Sequence, residues 1–192
     1  CGYPLCKGKV MASNPECCLT GDEWARRFAN WIEHGAPEDL LSASIYFDYR
    51  PLAGNAELLQ PLDAVVRAGQ PLPPRFIKQL AQNALRMRVP LNWRGAIDAR
   101  SSDGRRLIDL KMNGTAIFVD AARLFALAQG VAATGTRERC IAAAQAMNVP
   151  ARESQAWASG FEFLQLLRLR VQLQRPAGSA VAPLQPAAEQ AN

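Results

Sequence analysis

Ser44-Ile45-Tyr46-Phe47-Asp48-Tyr49-Arg50, followed by the breaker run Pro51-Leu52-Ala53-Gly54, is the stretch around which the fold is read. Ile45, Phe47 and Tyr49 alternate with Tyr46 and Asp48, and the β-branched and aromatic content suits a half-buried strand. On a strand, Tyr46 and Asp48 share one face and the apolar residues pack behind it. A carboxylate is then displayed on a rigid element beside a turn. Periodicity leaves a second reading open, an edge strand whose single charged residue faces water.

Upstream, Thr20-Gly21-Asp22-Glu23 matches a capping box and opens a helix. Trp24, Phe28, Trp31 and Ile32 fall on one side of it, and Gly35 supplies a left-handed exit. Residues 1 to 19 read as a structured loop. Pro37 opens a short helix through Leu41 that feeds the strand, a helix-to-strand order typical of α/β units. Downstream, Asn55 caps a helix that reaches Ala68 and ends at Gly69, with Leu58, Leu62, Val65 and Val66 facing inward. Pro61 requires that helix to kink or to begin only near Gln60. Gln70-Pro71-Leu72-Pro73-Pro74 is a linker, because its prolines favour an extended, semi-rigid path.

Beyond the linker the pattern is helical, over 75 to 88, 116 to 129, 136 to 147 and 151 to 174, and short connections imply an antiparallel bundle. Asp103-Gly104 is a turn signal for a small hairpin between the first two helices. The last helix carries Trp157, Phe161, Leu164 and Leu167 or Arg168 on one stripe and stops at Pro176. The fold class is therefore α+β and mostly α. An incomplete α/β piece over 1–70 precedes a helical domain over 71–175, and a Pro, Ala and Gln-rich tail over 176–192 has too little apolar surface to order itself.

The 192 residues are 49% hydrophobic, enough for a core, and no run approaches the roughly 18 to 20 apolar residues that cross a bilayer. Net charge is +5, nearly all from arginines spread over several helices, which does not form the basic stripe of a nucleic-acid binder. Cys1, Cys6, Cys17, Cys18 and Cys140 are odd in number and lack a Cys-x-x-Cys spacing, so a reducing cytoplasm is the expected compartment. Cys6, Cys17 and Cys18 with the sole histidine, His34, have no zinc-finger spacing. A sequence opening at Cys1 in motif-like residues is expected to be a piece of something longer.

Several motifs arrive in a familiar order: Cys6-Lys7-Gly8-Lys9-Val10-Met11-Ala12-Ser13-Asn14-Pro15, Glu23-Trp24, Trp31-Ile32, and Ile45 to Arg50 with Gly54. Leu107-Ile108-Asp109-Leu110-Lys111, Asp120-Ala121-Ala122-Arg123-Leu124, Thr136-Arg137-Glu138-Arg139 and Leu167 to Gln172 follow. Together they resemble the nucleotidyltransferases related to protein-PII uridylyltransferase, whose catalytic domain is followed by a helical substrate-binding domain. The resemblance implies upstream CBS or cyclic-nucleotide-binding modules in the parent chain, a nucleoside triphosphate substrate, a protein acceptor, and Mg²⁺ in the complete enzyme. Enzymes of this superfamily carry a Gly-Ser pair and an Asp-x-Asp pair upstream of a third carboxylate, and the chain has neither before its candidate strand.

By that resemblance Asp48 is the third carboxylate, a catalytic residue and metal ligand. Nucleotidyl transfer needs a carboxylate cluster to hold two metal ions, so Asp48 alone implies a chain inactive by itself. Arg50, on the same strand face, pairs with Asp48 or reaches a phosphate. Lys111 and Arg123 are further nucleotide-binding candidates, each set in an apolar stretch, with Asp109 and Asp120 as alternative, structural partners. Arg137, Arg139, Arg168 and Arg170 lie on helix surfaces, where arginines are usually solvated, and of these Arg139 joins the candidate set. Two other classes stay open, a non-catalytic nucleotide-binding or regulatory module and a purely structural helical interaction domain. A homo-oligomer is expected if the α/β piece leaves a strand edge or apolar patch bare.

Overall fold

In a computed structural model, residues 11, 14–35, 44, 46–67, 69–98, 100–102 and 105–174 are described. Six α-helices dominate the described residues. Helix α1 (Gly21–His34) begins as the capping box requires: Thr20 Oγ1 accepts from the Glu23 amide at 3.3 Å, and Glu23 Oε2 accepts from the Thr20 amide at 2.7 Å. Its exit is not left-handed, since Gly35 has φ −42°. Glycine is required there for space, because a Cβ would lie 2.4 Å from the Trp31 carbonyl oxygen.

Over the stretch expected to be a strand, Ser44 and Tyr46 are helical while Phe47 and Asp48 form a turn, closed by the Tyr49 amide donating to the Tyr46 carbonyl at 3.2 Å. Ile45 and the short helix expected from Pro37 to Leu41 lie outside the described residues. A strand would send Tyr46 and Phe47 to opposite faces, whereas a helical turn delivers both to α1. There Tyr46 stacks on Trp31 with ring centroids 5.7 Å apart, and Phe47 meets Phe28 edge-on at 5.0 Å. Contact with α1 therefore overrides the alternation, and the α/β piece is not seen among the described residues.

A 3-10 turn, Ala56–Leu59, leads into α2 (Gln60–Val66), so Pro61 falls in a first turn, where its missing N–H costs nothing. Helix α3 spans Pro74–Ala84. A short antiparallel ribbon, β1 (Arg100–Ser102) with β2 (Arg105–Leu107), follows, and Asp103 and Gly104 lie outside the described residues. One π-helical turn, Lys111–Thr115, runs directly into α4 (Ala116–Ala128). Helices α5 (Thr136–Ala146) and α6 (Ala151–Leu173) complete the chain's described part. Helix α2 packs on α1, and α3 to α6 pack each on the next, with α6 also touching the π-helical turn.

One core cluster crosses the proline run: Phe28, Trp31, Ile32, Phe47, Leu62 and Val66 meet Leu72, Phe76, Leu80 and Leu127. Leu72, in the middle of that run, is buried, and its amide donates to the Leu127 carbonyl at 3.1 Å. The proline run is thus pinned to α4.

Candidate functional site

Three of the candidate residues meet at one point. Arg123, on α4, grips Asp48 with two prongs: Nε donates to Oδ1 at 3.1 Å and Nη2 donates to Oδ2 at 2.5 Å. Arg139, on α5, adds a third charged hydrogen bond from Nη1 to Asp48 Oδ1. The partners are 75 and 91 residues apart in sequence, so the contact joins the aromatic turn beside α1 to the C-terminal helices. A planar fork matched to a carboxylate is the strong form of this interaction.

Each arginine uses all three of its guanidinium nitrogens. Arg123 also donates from Nη1 to Asp120 Oδ1 at 2.8 Å, which makes Asp120 the structural partner anticipated for it. Arg139 donates from Nε to the Ala133 carbonyl at 2.7 Å and from Nη2 to the Phe47 carbonyl at 3.2 Å. Both side chains are buried, at 9% and 4% exposure, while Asp48 keeps 36%. Two carboxylates and two guanidiniums compensate one another in charge.

Burial alone pushes the Asp48 carboxyl up. The hydrogen bonds and charge of Arg123, then those of Arg139, outweigh it and hold the group below the usual carboxylate range. Asp120 goes the other way: burial pushes it up, and Arg123 only partly offsets that. Asp48 is therefore an ionised acceptor with its oxygens engaged, a poor proton acceptor near neutrality.

Arg50 and Lys111 are exposed, and among the described residues the ion pairs of this cluster join only Asp48, Asp120, Arg123 and Arg139. The partial burial anticipated for Lys111 is not seen, because the apolar residue at the turn's entrance, Leu110, is what goes inward. Asp109 caps the turn instead of pairing with the Lys111 ammonium: its Oδ1 accepts from the Lys111 and Met112 amides at 2.9 and 3.0 Å. The Phe47 and Ala133 carbonyls had no side-chain signal in the sequence. Tyr49 and Arg67 were likewise missed. The Tyr49 hydroxyl donates to Asp63 at 2.6 Å and Arg67 lies 4.0 Å over its ring, a pairing hinted at only by the i,i+4 spacing of Asp63 and Arg67.

Among the described residues no group of three or more His, Cys, Asp or Glu side chains is placed to hold a metal ion. Asp48 and Asp120 are the carboxylates at the cluster and both are held by Arg123, so these residues alone do not fit a pair of Mg²⁺ ions. A small cleft beside them, lined by Ser44, Leu80, Asn83, Asp120, Arg123 and Leu124 among others, has about 20 Å³, room for a water molecule and not for a nucleotide. A larger pocket of about 180 Å³ between α4, α5 and α6 is lined by apolar groups such as Phe118, Phe125 and Trp157 and offers little for a phosphate. Among the described residues no helix is long and apolar enough to cross a membrane.

Comparison with family models gives two matches. Residues 74–185, more than half of the chain, match the family described as "Putative nucleotidyltransferase substrate binding domain". Residues 1–38 match a second, described as "Putative nucleotidyltransferase DUF294". Neither a curated protein nor a solved structure was found to match the chain.

Proposed function

Because the chain belongs to the nucleotidyltransferase substrate-binding-domain family, we propose that it is the nucleotide- and acceptor-binding part of a uridylyltransferase-like enzyme and does not transfer a nucleotide by itself. The observation that carries this reading is the grip of Arg123 and Arg139 on Asp48 across 75 and 91 residues of sequence. It fixes one carboxylate at the seam between the aromatic turn and the matched helical region, with about a third of its surface open. Asp48 is in this reading the carboxylate that a catalytic centre is completed on. Arg123 and Arg139, with all three nitrogens of each guanidinium engaged, are its positioning residues, and the exposed Arg50 and Lys111 are the cations available to a triphosphate.

Mg²⁺ in such a centre neutralises the triphosphate and activates the attacking oxygen, and it needs carboxylates that a longer parent chain supplies. The match beginning at residue 74 supports a division of the chain at the proline run. The free thiol of the buried Cys140 suits a reducing cytoplasm. The engagement of Asp48 and Asp120 by Arg123 favours a second reading as well, a module that binds nucleotide for regulation and never turns it over.

Calorimetric titration with ATP, UTP, CTP and GTP, with and without Mg²⁺, tests the proposal alongside a pyrophosphate-release assay. Saturable binding of at least one nucleotide is expected, weakened by Lys111→Ala or Arg50→Ala, with no pyrophosphate released. Indifference to all four nucleotides would leave a structural helical domain. Release by homogeneous protein would show that the chain is competent alone.

A further inference from the structure

Helix α6 has two apolar faces, and among the described residues only one is covered. Ser154 and Ala158 are buried, Trp157 stacks on Phe125 and Phe161 meets Phe118, all on the inward side. Phe163, Leu166, Leu169 and Leu173 stand outward at 64, 66, 50 and 76% exposure. Their spacing of three, three and four residues places them on a single stripe about 15 Å long at about 1.5 Å per residue. A contiguous apolar stripe of this kind marks an interaction surface.

The charges beside the stripe identify what fits it. Counted outward from Leu166, Phe163 and Leu169 stand three residues to either side, and Glu162 and Arg170 stand four to either side. An antiparallel helix of the same sequence, with a two-fold axis through Leu166, sets Phe163 against Leu169 of the second copy and Glu162 against its Arg170. The symmetry repeats each contact. A parallel pair would oppose like charges at both positions. Arg170 is exposed and makes no ion pair among the described residues, while Glu162 accepts from Arg137 at 2.6 Å, so the second copy's Arg170 extends an existing pair.

We propose that the outward stripe of α6 is a homodimer interface in which two copies pack antiparallel about Leu166. This surface lies on the C-terminal helix and not on the N-terminal piece from which self-association was first expected. It stands independently of the nucleotide-binding reading.

Sedimentation velocity on the full chain should show a concentration-dependent doubling of the 20.9 kDa mass. Leu166→Glu, which brings two carboxylates together on the axis, should raise the dimer Kd at least about tenfold, with the thermal midpoint of dilute, monomeric protein unchanged. Arg170→Glu should weaken the dimer, and adding Glu162→Arg should restore it. Under mild oxidation Leu166→Cys should cross-link above the background of the unsubstituted chain, whereas Leu173→Cys should not, its two positions being about 21 Å apart along an antiparallel pair. A strictly monomeric mass, a dimer indifferent to Leu166→Glu, or cross-linking at 173 in place of 166 would each overturn the proposal.

Discussion

Arg139 donates from Nη2 to the Phe47 carbonyl at 3.2 Å, so it ties down the backbone of the aromatic turn as well as the Asp48 carboxylate. Replacing it with Gln leaves the Phe47 and Ala133 carbonyls and one side of Asp48 without their charged donor. Removing such bonds costs about 2 to 3 kcal/mol of stability, read as a lower urea midpoint at unchanged m-value. Lysine should not rescue it, since one ammonium cannot serve three acceptors in the fork's plane. Near-normal stability of Arg139→Gln would mean the grip contributes little.

Asp48→Asn keeps the shape of the side chain but removes the charge facing two buried guanidiniums, and a loss of roughly 2 kcal/mol is expected, measured by the same denaturation curves.

Opposite pKa shifts at the cluster give a signed pH profile. The folded-state pKa of Asp48 is depressed, so its contribution is present above its unfolded value, about 3.9, and is lost as pH falls through the lower folded value. Asp120 is raised, so its contribution is complete below about 3.9 and is lost as pH rises through the higher folded value. Stability should climb with pH below about 4 and shed part of the gain just above it. Asp48→Asn should flatten the climb and Asp120→Asn the later decline, in melts recorded from pH 2 to 7.

An alkaline counterpart lies beside α1. The Cys17 thiol, 3.4 Å from the Tyr46 hydroxyl, and then burial push that hydroxyl up to about 12. Burial and the bond to Asp63 raise Tyr49 further. Folded values above about 10 mean stability is intact below pH 10 and falls as pH rises through the folded values. Ultraviolet titration should show delayed phenolate formation, and Cys17→Ala should bring part of it forward.

How legible this was depends on range. Thr20 and Glu23 announce α1 because a capping box is settled within four residues, and Pro61 fixes the start of α2 for the same reason. Asp48, Arg123 and Arg139 were each singled out, yet their meeting was not readable, because fork geometry depends on how α4 and α5 pack. The run from Ile45 to Tyr49 misled because alternation and an aromatic turn share one composition there, and only Phe28 and Trp31, packed from α1, decide between them. Arg139 looked solvated for a local reason: its helix carries one large apolar side chain, Ile141, so nothing marked which face is buried.

Gly130 gives a test of the join between the proline run and the α4–α5 loop. It sits at φ +66°, and a Cβ there would lie 2.9 Å from the backbone of Gly69 and Gln70. Gly130→Ala should therefore cost at least about 2 kcal/mol, from the left-handed conformation and the clash together. The same change at Gly95, left-handed but open, should cost about 1 kcal/mol, and equal thermal shifts for the two would show that the clash is relieved elsewhere.

Arg75, on α3, donates from Nη2 to the Ile32 carbonyl at 2.9 Å and also to that of Glu33, satisfying carbonyls that α1 leaves bare at its end. That donor comes 43 residues after its acceptor. During synthesis from the N-terminus, α1 can wind as soon as it leaves the ribosome, but its last turn stays unsealed until α3 has also emerged. Of the six helices described, α1 emerges before the others yet is among the later ones to be finished, and nascent chains arrested before Arg75 should exchange the amides of that last turn faster than chains arrested beyond α3.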